Sequence, residues 1–256
     1  IANDDSIKGI WCVPKYSNPT GISYSDETVK RFARLKPAAP DFRIFWDNAY
    51  SIHHLYDDDQ DVIPELLTEC EKVGTEDMVY KFISTSKVSF PGSGIAAMAA
   101  SEANLNDARK WMHYQTIGHD KLNQLRHVCF FKDMDGMHEH MRKHAAILRP
   151  KFELVQKTLE EGLGGLEIGS WTKPKGGYFI SFDSLDGCAK RIVSMAKEAG
   201  LVLTGAGATY PYGKDPKDCN IRIAPSFPTL EELGKAAELF VICVKLASAE
   251  KLLGEE

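Results

Sequence analysis

Lys87 is the residue of this sequence whose setting could support covalent chemistry. It follows a strand-like apolar stretch and lies in the segment 84–89, STSKVS, among small side chains. A lysine in a restricted pocket shifts its pKa readily and can act as a nucleophilic amine that forms a Schiff base with a carbonyl group. The alternative for a lysine at the end of a strand is a solvated side chain with no chemical role. Polar residues elsewhere in the chain favour the first interpretation.

Polar residues also follow two other stretches that are typical of strands. Asn18 comes after the apolar stretch 9–13, and Asp47 directly follows 42–46. In open parallel sheets, ligands bind in the crevice outside the carboxyl ends of the strands. We therefore expect Asn18, Asp47 and Lys87 to line one crevice.

The chemistry of these side chains matches the requirements of pyridoxal phosphate (PLP). The aldehyde of this cofactor needs a lysine, and its ring nitrogen needs a carboxylate such as Asp47 to stay protonated. Its phenolic oxygen needs hydrogen-bond donors, which the amide of Asn18 and the hydroxyl of Tyr50 can supply.

Four motifs occur along the chain in a fixed order. They are Asn-Pro-x-Gly at 18–21, Asp-x-x-Tyr at 47–50, Ser-x-Ser-Lys at 84–87 and a late arginine, Arg222. The successive spacings from the asparagine to the aspartate, the lysine and the arginine are 29, 40 and 135 residues. Each motif alone is common, but the ordered set resembles that of the fold-type I PLP-dependent aminotransferases of class I.

The resemblance implies a role in cofactor binding for five residues. Lys87 would form the internal aldimine and then move the proton between the substrate Cα and C4′ of the cofactor. Asp47 would pair with the pyridinium nitrogen, and Asn18 and Tyr50 would hydrogen-bond the phenolic oxygen. Ser84 would contact the phosphate.

The resemblance also implies a substrate and a reaction. Arg222 and Asn18 would bind the substrate, with the planar, bidentate guanidinium of Arg222 holding the α-carboxylate. The expected function is transfer of the amino group between aspartate and 2-oxoglutarate by a cytoplasmic homodimer. Two alternatives stay open: another PLP enzyme such as a β-lyase, and a non-catalytic PLP-sensing domain of a transcription regulator. The chain shows no basic or helix-turn-helix segment, which disfavours the regulator.

The sequence departs from the family pattern in two places. Most relatives carry a phosphate-binding arginine eight residues after the lysine, and Ile95 occupies that position here. In this respect the chain resembles a divergent bacterial aspartate aminotransferase subgroup. The chain opens on Ile1, so that 17 residues precede Asn18, whereas relatives carry a longer segment there. We expect the N-terminal part of the family's fold, with its phosphate-binding turn, to be missing.

Composition places the chain among globular proteins of one or two domains. It has 256 residues, 43% hydrophobic content and a net charge of −5. Its scattered lysines and arginines predict no nucleic-acid partner, and its longest apolar run, 95–100, is too short to cross a membrane. The six widely spaced cysteines predict reduced, mostly packed thiols. His53, His54 and the histidines from His113 to His144 lack chelating patterns, so that no metal site is expected.

The helices and strands predicted from the sequence indicate an α/β fold. A partial large domain with a parallel sheet is predicted over 1–145, and a smaller α+β domain is predicted over 146–256. A proline disrupts a helix interior, so Pro150 should kink or interrupt the helix around it. Strands are predicted at 9–13, 42–46, 78–83, 95–100, 166–168, 178–182, 201–203 and 220–224. Helices are predicted at 26–35, 62–73, 119–131, 137–161, 188–199 and from the capping box at 229–232 onward.

Overall fold

The computed structural model describes residues 1–254, which form two compact units. The first unit comprises 1–15, 23–53 and 61–142, and the second comprises 16–22, 54–60 and the chain from Lys143 onward. The division at residue 145 that the sequence suggests stays a prediction.

The first unit contains a four-stranded sheet in the order β1-β2-β3-β4. Its strands are β1 (Gly9–Cys12), β2 (Arg43–Asp47), β3 (Val79–Ser84) and β4 (Ala96–Ala100). The first three strands are parallel, as predicted, but β4 runs antiparallel to β3. A parallel return needs a crossover, usually through a helix. The loop 85–95 contains no helix, so β4 folds straight back along β3.

Helices cover one face of this sheet. They are α1 (Asp26–Ala33), which Ser25 caps by accepting a hydrogen bond from the Thr28 N–H, and α2 (Leu66–Glu71). Both helices place apolar side chains against the sheet. The buried residues of this core are Cys12, Val29, Ala33, Ala39, Phe42, Ile44, Trp46, Leu66, Cys70 and Val79.

Aromatic rings lie side by side on the sheet. The aromatic row consists of Trp11, Phe45, Tyr80 and Phe82. The Trp11 and Phe45 rings stack with centroids 5.5 Å apart, and those of Phe45 and Tyr80 lie 5.9 Å apart. Trp11 remains 63% exposed, so that this part of the sheet surface is apolar and open to solvent in the chain.

Three helices follow the sheet. They are α3 (Glu102–Gln115), α4 (Lys121–Phe131) and α5 (Met134–Leu163). Helix α3 was not predicted from the sequence. Pro150 was expected to kink or interrupt α5, and the prediction of an interruption is wrong, because α5 continues through the proline as one helix of 30 residues.

The second unit contains a small antiparallel sheet and two further helices. The strands β5 (Gly169–Trp171), β6 (Ile180–Ser184) and β7 (Asn220–Ile223) pair in the order β5-β6-β7. The strand expected at 166–168 lies three residues later, and the one expected at 201–203 is irregular chain. The helices are α6 (Ala189–Glu198) and α7 (Leu230–Leu253).

The second unit has its own apolar core. Phe182 and Phe240 pack edge to face with their centroids 5.1 Å apart, and α5 contributes Leu159 and Leu163. The predicted capping box of α7 is confirmed, because Thr229 and Glu232 exchange side-chain and backbone hydrogen bonds.

All six cysteines lie within residues 1–254 and are unpaired there. Cys12, Cys70, Cys188, Cys219 and Cys243 are buried, and Cys129 is exposed on α4. Burial raises the pKa of each of the five buried thiols, that of Cys219 to about 11. Within residues 1–254, no group of three or more potential ligands is placed to hold a metal ion. No helix of that part of the chain has the length and apolar character needed to cross a membrane.

Candidate active site

Lys87 lies in a single helical turn directly after β3. The turn is closed by two backbone hydrogen bonds, in which the N–H groups of Val88 and Ser89 donate to the Thr85 carbonyl at 2.9 and 2.8 Å. Val88 is buried beneath the turn, whereas the Lys87 side chain is exposed. The Lys87 Nζ lies 5.3 Å from the centroid of the Tyr50 ring, a cation–π distance.

Asp47 is the last residue of β2 and lies opposite Phe82 of β3 in the parallel register. The two strands end side by side, because the Asn48 N–H donates to the Phe82 carbonyl at 2.9 Å. Asp47 and Ser84 therefore mark the carboxyl ends of neighbouring parallel strands. Asp47 is half-buried, and its carboxylate has no hydrogen-bond or ion-pair partner among residues 1–254.

Two hydroxyl groups meet at the end of β3. The Ser84 and Ser86 Oγ atoms lie 2.8 Å apart, and the Ser86 N–H donates to Ser84 Oγ at 3.1 Å. Across the loop, the Ile95 N–H donates to Thr85 Oγ1 at 2.8 Å, and the Thr85 N–H donates to the Ile95 carbonyl. The sequence predicts a role for Ser84 and marks the position of Ile95, but it predicts no role for Ser86, although Ser86 belongs to the Ser-x-Ser-Lys motif.

Three histidines contact the turn that carries Lys87, and the sequence analysis assigned them no role. The His53 Nε2 lies 3.1 Å from the Lys87 carbonyl oxygen, and the His140 Nε2 lies 2.8 Å from that of Val88. The His127 Nε2 lies 2.7 Å from Ser89 Oγ. Sequence periodicity carries no signal for such contacts, because the partners are backbone and hydroxyl oxygens far along the chain.

Asn18 and Arg222 meet in the second unit. The Arg222 Nη1 donates to Asn18 Oδ1 at 2.8 Å, across 204 residues of sequence. The guanidinium carbon lies 4.6 Å from the centroid of the Phe179 ring. The Arg222 Nε is buried and has no hydrogen-bond partner within the described residues. The sequence analysis missed Phe179.

The segment that bears Asn18 is held by close backbone packing. The Ser17 N–H donates to the Ile22 carbonyl at 3.0 Å, which closes the loop around the asparagine. The Tyr16 hydroxyl lies 2.8 Å from His54 Nδ1. Gly177 has a φ of +77°, and a Cβ there would lie 2.8 Å from the Cβ of Tyr16, so that only glycine fits without displacement.

The predicted site residues thus fall into two groups. Asp47, Tyr50, Ser84 and Lys87 belong to the first unit, where Lys87 contacts Tyr50. Asn18 and Arg222 belong to the second unit and contact each other. The expectation that Asn18 lines the same crevice as Asp47 and Lys87 stays a prediction.

Comparisons with known proteins give a consistent result. The family model described as aspartate amino-transferase matches residues 1–256. The chain is 46% identical over 256 residues to a protein of Mycolicibacterium smegmatis that is named as an aminotransferase, with coverage of 100% of this chain and 60% of that protein. It is 42% identical over 254 residues to an aspartate aminotransferase of Corynebacterium glutamicum, covering 98% of this chain and 58% of that protein.

The fold agrees with a solved structure. An aspartate transaminase from Corynebacterium glutamicum superposes with a TM-score of 0.95 at 41% identity, covering 98% of this chain and 59% of that one. The chain therefore spans about 60% of the length of the relatives that it matches.

Proposed function

The chain belongs to the aspartate amino-transferase family, and from this premise we propose that the protein containing it is a PLP-dependent transaminase acting on aspartate and 2-oxoglutarate. The observation that carries the proposal is the position of Asp47 and of the Lys87 turn. Asp47 ends β2 and the Lys87 turn follows β3, so both lie at the carboxyl ends of neighbouring parallel strands, where sheets of this kind bind ligands.

The residues of the first unit fit PLP. A half-buried carboxylate without a partner is costly, and a protonated ring nitrogen would give Asp47 the opposite charge that it lacks. The hydroxyls of Ser84 and Ser86 are the groups that would donate to the cofactor phosphate, and the Tyr50 hydroxyl would donate to the phenolic oxygen. When bound, PLP supplies an electron sink for bond breaking at the substrate Cα.

Lys87 would hold the cofactor covalently and serve as the base of the reaction. Its amine would take the proton from the substrate Cα and deliver it to C4′ of the cofactor. The Tyr50 ring, 5.3 Å from Nζ, would contact the ammonium group that results when the proton is taken. Asp47 would keep the ring nitrogen protonated throughout.

Arg222 is the residue that we assign to the substrate carboxylate. Its Nη1 is used by Asn18, whereas the buried Nε has no partner among the described residues. The Nε–Nη2 edge of the guanidinium is therefore the one available for a bidentate contact, and Phe179 fixes the plane of the group. Since Asn18 Oδ1 accepts from Arg222, its Nδ2 is the group left to donate to the phenolic oxygen.

We also propose the oligomeric state and the cellular compartment of the enzyme. Family membership supports a homodimer. The unpaired state of the six cysteines, each of which the structure describes, supports a reducing compartment such as the cytoplasm.

The test is to locate the covalent link. In the intact protein, borohydride reduction in the presence of PLP should fix the cofactor on Lys87, and peptide mapping by mass spectrometry would identify the residue. Lys87→Ala should abolish transamination and the adduct together. Lys81, the third residue of β3 and paired with Glu65, is the internal control. An adduct on Lys81 or on any other lysine would overturn the assignment.

A further inference from the structure

We propose that His53, His127 and His140 are positioning residues that together fix the turn carrying Lys87. This inference rests on the proposed function of Lys87 and adds to it a means by which the amine is held in place. The three histidines lie after β2, on α4 and on α5, and all belong to the first unit.

Two of the histidines bind carbonyl groups of the turn. A carbonyl oxygen only accepts hydrogen bonds, so the Nε2 atoms of His53 and His140 must carry the proton and donate to Lys87 and Val88, respectively. Carbonyls at the end of a helical turn that does not continue have no partner within the helix. The imidazoles therefore satisfy two of the oxygens that the turn leaves without a partner.

His127 holds the same turn through side chains. Its Nδ1 lies 2.9 Å from the Asn123 carbonyl and donates to it, which leaves Nε2 as an acceptor in the neutral ring. The hydroxyls of Thr85 and Ser89 lie 3.0 and 2.7 Å from that Nε2. The first and the last residue of the turn are thus tied to one imidazole.

Packing against aromatic rings also holds two of the histidines in place. The His140 ring packs edge to face against Phe130 and Phe131, with centroids 5.1 and 5.6 Å away. The His53 ring packs in the same way against Tyr50, at 5.7 Å. Tyr50 also lies beneath the Lys87 ammonium, so His53 connects the backbone of the lysine to the ring that its side chain contacts.

The arrangement holds the backbone of Lys87 from beneath while its side chain extends outward. Val88 is 4% exposed and packs with Phe131 and Met141. A reacting group must be held within a fraction of an ångström of its productive geometry, and a misplacement of about 1 Å can cost about 10²-fold in rate. A long, flexible lysine reaches that precision only from a rigid backbone.

The first experiment measures this rigidity without the cofactor. Amide hydrogen exchange of a peptide covering 85–89 would be followed in the intact, cofactor-free protein and in its His53→Leu and His140→Leu variants. Each variant loses one donor, so exchange at Val88 and Ser89 should quicken by about three- to tenfold. His138→Leu is the matched control, since His138 lies on α5 but is exposed. Unchanged exchange in both variants would overturn the proposal.

The second experiment needs no substitution. Nitrogen-15 NMR of histidine-labelled protein distinguishes the ring tautomers, and we expect Nε2–H for His53 and His140 but Nδ1–H for His127. Nδ1–H tautomers for both His53 and His140 would contradict the proposal, because their Nε2 atoms could not then donate. This readout applies even where a leucine variant does not fold.

The third readout separates this inference from the proposed function. His53→Gln and His140→Gln keep an N–H donor and should recover part of kcat relative to the leucine variants, with KM little changed. If the turn loosens in the leucine variants but borohydride fixes PLP elsewhere, the histidine contacts stand and the role of Lys87 fails. If PLP lies on Lys87 but exchange is unaffected, the histidine inference fails alone.

Discussion

At the scale of single residues, two residues of the proposed site carry polar groups that lack a partner among residues 1–254. Asp47 carries a half-buried carboxylate and Arg222 a buried Nε, neither with a partner among residues 1–254. Folding alone gives little reason to keep such groups, because unsatisfied buried polar atoms cost stability. Both are explained if a ligand provides the missing charge.

Asp47→Asn keeps the shape of the side chain and removes its charge. The ring nitrogen of the cofactor would lose the partner that keeps it protonated, so we expect kcat to fall by about 10²-fold or more, with substrate affinity less affected. Steady-state kinetics of the intact protein would measure this. Asp41→Asn, at an exposed residue paired with Lys8, is the control and should retain full activity. A variant at Asp47 with normal kcat would refute the role.

Two substitutions of Arg222 test its proposed contact with the substrate carboxylate to different degrees. Arg222→Lys keeps the charge without the planar fork, and Arg222→Leu removes both. Because each charge-assisted hydrogen bond contributes about 1.5–3 kcal/mol, kcat/KM should fall by about 10²-fold in the leucine variant, mainly through KM, and by less in the lysine variant. Arg31→Leu, at an exposed residue of α1, is the control. Equal KM values for all substrates in the three proteins would exclude a carboxylate contact.

At the scale of elements, the position of β7 depends on the loop before it. The Asp215 carboxylate accepts the N–H groups of Lys217, Cys219 and Asn220 at 3.0, 2.8 and 2.8 Å. Burial by itself raises the pKa of Asp215, but these bonds outweigh it and hold the pKa below its ordinary value. A depressed pKa means that the carboxylate stabilises the fold above about pH 4 and that this contribution is lost at lower pH.

Asp215→Asn should therefore destabilise the fold in a pH-dependent way. At neutral pH we expect a loss of about 1–2 kcal/mol in the free energy of unfolding, because the charged acceptor is gone. As the pH falls from about 4 through the depressed pKa of Asp215, the wild-type carboxyl becomes protonated and the difference from the variant should shrink. Thermal unfolding across that pH range measures it, with the exposed Asp186→Asn as control. A difference that grows on acidification would contradict the assignment.

The elements also show what the sequence could and could not reveal. Asp47 and Lys87 were predictable because strand ends carry local signals, a run of apolar residues followed by a polar one. The direction of β4 was not predictable in this way, because it depends on the loop 85–95 containing no crossover helix. The polar helix α3 lacks apolar periodicity, although Ser101, whose side chain accepts from the Asn104 N–H, was a readable cap.

The contacts of the histidines lay beyond sequence reasoning for a different reason. His53 and His140 bind carbonyl oxygens 34 and 52 residues away. A backbone oxygen has no identity in the sequence, so neither residue type nor spacing marks it as a partner. The Asn18–Arg222 contact was likewise visible only in the fold, although the ordered motifs had predicted that both residues act at the site.

At the scale of the whole molecule, we expect the aromatic row to promote self-association of this 256-residue chain in solution. Sheets with parallel strands are normally covered on both faces, and an open apolar surface promotes association. Trp11→Lys should lower the tendency of the isolated chain to self-associate, while costing little stability because Trp11 is already largely exposed. Light scattering over a range of concentrations would measure the solution mass. Trp111→Lys, at an exposed residue of α3, is the comparison. Unchanged association in the Trp11 variant would contradict this prediction.

The distribution of the six thiols leaves one cysteine suitable for attaching a label. Five are buried, and burial also raises their pKa, so that they are poor nucleophiles on two counts. Cys129 alone among them is exposed, and it lies on α4 two residues from His127. A maleimide dye should therefore attach at one position without engineering. Its emission would report in real time whether the Lys87 turn changes when a cofactor or a substrate arrives.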